Sequence, residues 1–138
     1  MPFKHTRIIR FQDTDAAGVL YFANLLAICH EAYEASLAAS GIELKGFFRN
    51  PDAAIAIAHA RVDFFAPLFC GDEVAIALTP TLLKAHTFEI DYRVFPTTAS
   101  SEGAIGRALT KHVCIHPASR QKQPLAPEIM KWLLQWAE

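Results

Sequence analysis

Asp13 and Asp15 are separated by one residue, Thr14, with Gly18 three positions further on, and the chain then continues through Tyr21-Phe22-Ala23-Asn24 into a helical apolar pattern. A carboxylate there has two routes to a carbonyl carbon. It can attack directly, or it can deprotonate a water that attacks. The start of a helix leaves about four backbone N–H groups without intrahelical acceptors, at the positive end of the helix dipole. Those groups suit an anion or a developing oxyanion. The N–H groups from Tyr21 to Asn24 are therefore candidate oxyanion donors, and Asp15 or Asp13 a candidate catalytic carboxylate. The plain alternative is that both aspartates only cap the helix or order the turn, which Asp before a helix commonly does.

The elements that must hold this corner are readable on either side. Thr6 to Phe11 is a short extended run. After the corner, Leu25, Ile28, Cys29, Ala32, Ala35 or Ser36, and Ala39 recur at helical spacing, with His30, Glu31 and Glu34 opposite. Gly41 suits the end of that helix. Gly18 falls where the backbone must bend or something must approach it closely. Leu44 to Asp52 reads as a loop, whose Phe47 and Phe48 either cover a pocket or tuck beneath it. Ala53 to Ala66 reads as a strand with alanines on one face, placed for close contact with the Ala-rich helix. Glu73 to Thr79 is a further strand. Thr87 to Phe95 alternates Phe88, Ile90, Tyr92 and Val94 with polar residues. Pro96 to Gly103 is a turn. Ala104 to Ile115 is a last strand, apolar at Ile105, Leu109, Val113 and Ile115. An irregular basic connection, Pro117 to Pro127, precedes a terminal helix from Glu128 to Ala137 bearing Ile129, Trp132, Leu133 and Trp136. Strands joined by short turns around one long helix predict an α+β fold.

The stretch Asp13-Thr14-Asp15-Ala16-Ala17-Gly18-Val19-Leu20-Tyr21-Phe22-Ala23-Asn24 resembles the signature of the 4-hydroxybenzoyl-CoA thioesterase family. The resemblance continues through Arg61-Val62-Asp63-Phe64-Phe65-Ala66-Pro67, Gly71-Asp72-Glu73-Val74 and His86-Thr87-Phe88, so it covers nearly the whole chain. It implies a hotdog fold, in which a curved antiparallel sheet wraps the long helix, acting as one domain over residues 1–138. It also implies an acyl-CoA thioesterase with Asp15 as the catalytic carboxylate and the Phe22 backbone N–H as the oxyanion donor. Neither a metal nor a redox cofactor is implied. One branch of the family carries His at the Phe22 position and takes short-chain acyl-CoAs; phenylalanine is closer to the aroyl-CoA branch. Within that branch, Leu25-Leu26-Ala27-Ile28-Cys29-His30-Glu31-Ala32-Tyr33-Glu34 resembles the 1,4-dihydroxy-2-naphthoyl-CoA thioesterases of cyanobacterial phylloquinone biosynthesis. That branch implies a bicyclic aromatic thioester as substrate. The family's assemblies imply a homodimer or homotetramer with sites between subunits.

A CoA ester brings phosphates that need Lys or Arg at the cleft mouth. By resemblance these map to Lys84 and His86, with Thr87 as a hydroxyl donor. Arg120 and Lys122 are a second possibility, and ordinary surface charge is the simpler reading of each. Gly18 is grouped with them as a backbone contact to substrate. His59, His112 and His116 lie in strand contexts, where histidine is usually a core or edge group. Glu31 sits one helical turn beyond the corner. A non-hydrolytic acyl-CoA-binding module and a hotdog dehydratase remain rival readings.

The remaining composition excludes other classes. A chain of 138 residues with net charge −1 has no global field to draw nucleic acid or an anionic membrane. Cys29, Cys70 and Cys114 are too far apart for a paired metal or redox motif, and buried free thiols in a reducing cytoplasm are expected. There is no signal-like apolar run and no spanning stretch. P-loop, dinucleotide, H-E-x-x-H and G-x-S-x-G patterns are absent.

Overall fold

Strand alternation builds one face of the core. On β4 (Thr87–Pro96), Phe88, Ile90, Tyr92 and Val94 are fully buried, and on β3 (Glu73–Lys84) so are Val74, Ile76 and Leu78. The computed structural model describes residues 1–98 and 103–138, so part of the expected turn from Pro96 to Gly103 lies outside the described residues. β1 (Phe3–Ile8), α1 (Phe22–Ala39), α2 (Leu44–Phe47), β2 (Ala54–Phe64), β5 (Gly106–Ile115) and α3 (Pro127–Trp136) complete the chain. The sheet is antiparallel throughout, in the order β1-β3-β4-β5-β2. This is the predicted α+β arrangement, with α1 on the buried face. No described helix is long and apolar enough to cross a membrane.

α1 buries Leu25, Ile28, Cys29, Ala32, Tyr33, Ser36 and Leu37, so the buried stripe includes Ser36 rather than Ala35, and Ala39 is exposed. Tyr33 lies against His112 and Trp132, and the Trp132 indole N–H donates to Ser36 Oγ at 2.9 Å. That bond satisfies the polar end of a fully buried ring, which ties α3 to α1.

Several boundaries and faces differ from expectation. β1 starts earlier and stops at Ile8. Phe11 belongs instead to a single 3-10 turn, Phe11–Asp13, because the Asp13 carboxylate accepts from the Arg10 N–H at 2.8 Å and closes the chain there. β3 runs on through Pro80 to Lys84. Proline is tolerated because β1 begins opposite Leu78, leaving that side of β3 beyond Leu78 without a ladder to supply. The 44–52 loop contains α2, whose first turn is held by the Glu43 carboxylate; Phe47 packs on the core while Phe48 is half exposed.

The alanine face of β2 does not meet α1. β2 is an edge strand hydrogen-bonded to β5 alone, and Ala58 and Ala60 are exposed. The close helix–sheet approach occurs at Gly106, where an added Cβ would sit 3.0 Å from Leu25 Cδ2. β5 also buries the opposite face from the one expected. Ala108, Thr110, His112 and Cys114 point into the core, and the apolar odd positions are half-buried. These polar groups bond one another, Tyr92 Oη to Thr110 Oγ1 at 2.9 Å and Thr110 Oγ1 to His112 Nε2 at 2.7 Å, while the His112 Nδ1 is buried without a hydrogen-bond partner among the described residues. The His112 ring also stacks on Phe88, 4.7 Å between centroids. Cys29 and Cys114 are buried as expected, whereas Cys70 is exposed beside the Gly71 turn.

Candidate active site

Asp13 and Asp15 have different surroundings. Asp13 is 8% exposed and is gripped by Arg7, Nη1 to Oδ2 at 2.9 Å and Nη2 to Oδ1 at 3.2 Å. Burial alone would raise its pKa, but the Arg7 bonds, the Arg10 N–H and both positive charges outweigh that and hold the carboxyl below its ordinary range. Arg7 Nε also pairs with Glu31 Oε1 at 3.0 Å. Glu31 therefore belongs to this clamp between β1 and α1, and it does not line the cavity described below. Arg7 had no motif to mark it in the sequence.

Asp15 sits on a small hairpin whose rungs are Asp13/Tyr21, Thr14/Leu20 and Asp15/Val19. Its turn is closed by Gly18 N–H to Asp15 O at 2.9 Å, and Gly18 adopts φ +82°. A Cβ on Gly18 would meet nothing within 4 Å, so glycine is there for its backbone angle, with no close neighbour demanding it. Gly18 does not line the cavity. Asp15 is exposed, and its Oδ1 accepts the Ala17 N–H at 2.9 Å, which fixes the carboxylate without burying it.

Asp15, Tyr21 and Phe22 line one cavity of about 500 Å³, together with Leu25, Val94 and Ile105 beneath and Phe64, Phe65 and Pro67 at the side. Tyr21 is the N-cap of α1, with extended backbone and no side-chain cap, and Phe22 is the first helical residue. Among the described residues no backbone carbonyl accepts from Phe22 N–H. Asp15 and the start of α1 thus line one largely apolar space. An apolar space of this kind has the chemistry to hold a flat hydrophobic group, beside a helix start able to polarise a carbonyl and a carboxylate able to act as base or nucleophile.

The remaining candidates lie elsewhere. Lys84, His86 and Thr87 are at the β3–β4 turn, and the seven-residue separation of Thr87 from Val94 along β4 puts them roughly 24 Å from the cavity. Thr87 is also 3% exposed and bonded to His86 Nδ1, which corrects its expected place as a donor at an open mouth. Arg120 and Lys122 are exposed on the β5–α3 connection, which joins the same turn through Leu125 N–H to Ala85 O at 2.9 Å. These basic residues form one end of the protomer, opposite its own cavity. His59 is exposed on β2, and His116 Nδ1 accepts the Ala118 N–H at 3.2 Å.

With this geometry the fold and site define a class: the chain belongs to the thioesterase-like superfamily, whose family model matches residues 9–133. It is 58% identical over 134 residues to the 1,4-dihydroxy-2-naphthoyl-CoA hydrolase of Trichodesmium erythraeum (strain IMS101), covering 97% of this chain and 96% of that one. It is 55% identical over 129 residues to the hydrolase of the same name from Rippkaea orientalis (strain PCC 8801 / RF-1), covering 94% and 93%. The crystal structure of a 1,4-dihydroxy-2-naphthoyl-CoA thioesterase from Synechocystis superposes with a TM-score of 0.91 at 37% identity, covering 97% of this chain and 96% of that one. The fold is the hotdog fold.

Proposed function

We infer that this protein is a thioester hydrolase acting on an aromatic acyl-CoA, and that the acyl group is 1,4-dihydroxy-2-naphthoyl. The substrate follows from the similarity over nearly the full chain to hydrolases of that name. The observation that carries the chemistry is the shared cavity: the Asp15 carboxylate and the uncapped start of α1 open on one space walled by aromatic rings. In the proposed reaction the thioester carbonyl oxygen turns to the Phe22 N–H. Asp15 then follows one of two routes. It takes a proton from the attacking water, the C–S bond breaks, and that proton passes to the departing thiolate. Alternatively it attacks the acyl carbon itself and expels the thiolate, leaving a mixed anhydride that a water molecule cleaves to restore the carboxylate and protonate the thiolate. Either way one water is consumed, and the products are the free acid and the CoA thiol. Steady-state turnover across an acyl-CoA panel tests this reading. The expected result is a preference for the dihydroxynaphthoyl ester over acetyl- and hexanoyl-CoA; equal or better use of the short chains would remove the aromatic assignment.

The working unit on this reading is a homodimer or homotetramer of single-domain chains in the cytoplasm. The β2 edge is unpaired along eleven residues, and Phe64 and Phe65 at its end are 48% and 61% exposed beside the cavity. A second copy laid along that edge would cover both. It would also allow the distant basic end, with Lys84, His86, Arg120 and Lys122, to serve a neighbour's cavity by holding CoA phosphates. Light scattering is expected to give at least twice the 15.3 kDa chain mass; a fully active monomer would remove the partner from the site.

A further inference from the structure

The hairpin that carries Asp15 and the helix start that carries Phe22 are joined at one atom. The carbonyl oxygen of Asp13 accepts two hydrogen bonds, from the Tyr21 N–H at 3.0 Å and from the Asn24 side-chain amide Nδ2 at 2.9 Å. The first is the closing rung of the hairpin. The second comes from the first turn of α1, whose position Asn24 also fixes by donating its own N–H to Tyr21 O at 2.9 Å. Tyr21 has no side-chain cap bond, so among the described residues the Asn24 amide is the side chain that ties the start of α1 to the Asp13 carbonyl. The other half of Asp13 is immobilised independently, by Arg7 and the Arg10 N–H.

We propose that Asn24 is a positioning residue for hydrolysis: by bonding the Asp13 carbonyl it sets the direction of the Phe22 N–H relative to the Asp15 carboxylate. Asn24 is not among the residues lining the cavity, so it touches no reacting atom. Its effect falls on the geometry of the transition state, where small misplacements are costly, and not on the apolar walls that hold the acyl group. The inference rests on the hydrolase reading above.

Asn24→Ala and Asn24→Asp test it with the same aroyl-CoA. Asn24→Ala is expected to lower kcat by about tenfold to a hundredfold while KM stays within about threefold. Binding of a thioether analogue lacking the scissile carbonyl is expected to match the parent. Asn24→Asp has nearly the same shape but cannot donate when ionised; protonated, its O–H can again reach the Asp13 carbonyl. Its kcat relative to the parent at the same pH is therefore expected to rise toward unity as pH falls. A merely structural role would lower the folded fraction and leave kcat per folded molecule equal to the parent's at every pH. Unchanged kcat in Asn24→Ala, a loss confined to KM, or a flat pH ratio in Asn24→Asp overturns the proposal. A parent that hydrolyses no aroyl-CoA overturns the hydrolase reading and this inference together, whereas an active parent matched by both variants overturns this inference alone.

Discussion

Asp15→Asn is expected to lower turnover of the aroyl-CoA by about a hundredfold or more while KM changes little. The substitution keeps the side chain's shape and its acceptor for the Ala17 N–H, so the hairpin that presents it remains closed. What it removes is the negative charge and the basicity, on which both direct attack and water activation depend. The cavity walls, supplied by Leu25, Phe64, Phe65, Val94 and Ile105, are untouched, so ground-state binding persists. Steady-state kinetics beside calorimetric binding of the thioether analogue separates the two. Unchanged turnover would remove Asp15 from the mechanism and leave it as a turn residue.

Arg7→Met carries the largest expected effect on stability. Arg7 and Asp13 side chains are 9% and 11% exposed, and the substitution leaves the Asp13 carboxylate enclosed without its cation. Breaking a buried pair in this way costs about 3–5 kcal/mol, which is a large share of a typical domain's stability. The lost Glu31 contact adds little, because that carboxylate is 43% exposed. The pH dependence identifies the cause. The parent's Asp13 has a folded pKa below the ordinary 3.8, so its contribution is complete above that value and is lost as pH falls through the lower folded one. In Arg7→Met the burial remains without the compensation, so the deficit is widest near neutrality and closes as the carboxyl protonates. His112 acts in a different window. Burial, with a smaller contribution from His30, pushes its pKa down from 6.5 to about 4, so both proteins lose stability over that interval as the unfolded chain takes up a proton. Thermal melts from pH 7 to pH 3 are expected to show the widest gap near pH 7, and the curves converge as pH falls, starting above the ordinary carboxylate value of 3.8 because the variant's Asp13 is raised by burial. A constant gap across the range would mean that Arg7 acts through packing and not through Asp13.

The hairpin and helix start beside the cavity were legible because their parts are local. Asp15, Gly18 and Phe22 lie within eight residues, and a hairpin followed by a helix start leaves them few arrangements. The buried faces of β3 and β4 were legible because their alternation is strict. β5 misled because its core face carries Thr110 and His112: the hydroxyl bonds Tyr92 of the neighbouring strand and the His112 Nε2, and the ring stacks on Phe88, contacts that periodicity does not contain. β2 misled for a related reason. A stripe of alanines permits close packing but does not choose the partner, and the sheet order places that strand at the rim. Arg7 was invisible because its partners, Asp13 and Glu31, come together only once β1 lies beside α1.

That rim strand has a bearing on the newly made chain. On the proposed assembly, until it meets another copy the folded subunit carries a ribbon of unpaired amides bordered by bare phenyl rings, a surface any extended polypeptide in the cell could join. Survival of a solitary subunit is then a race between meeting its own kind and meeting something else, and the abundance of the gene product sets the odds.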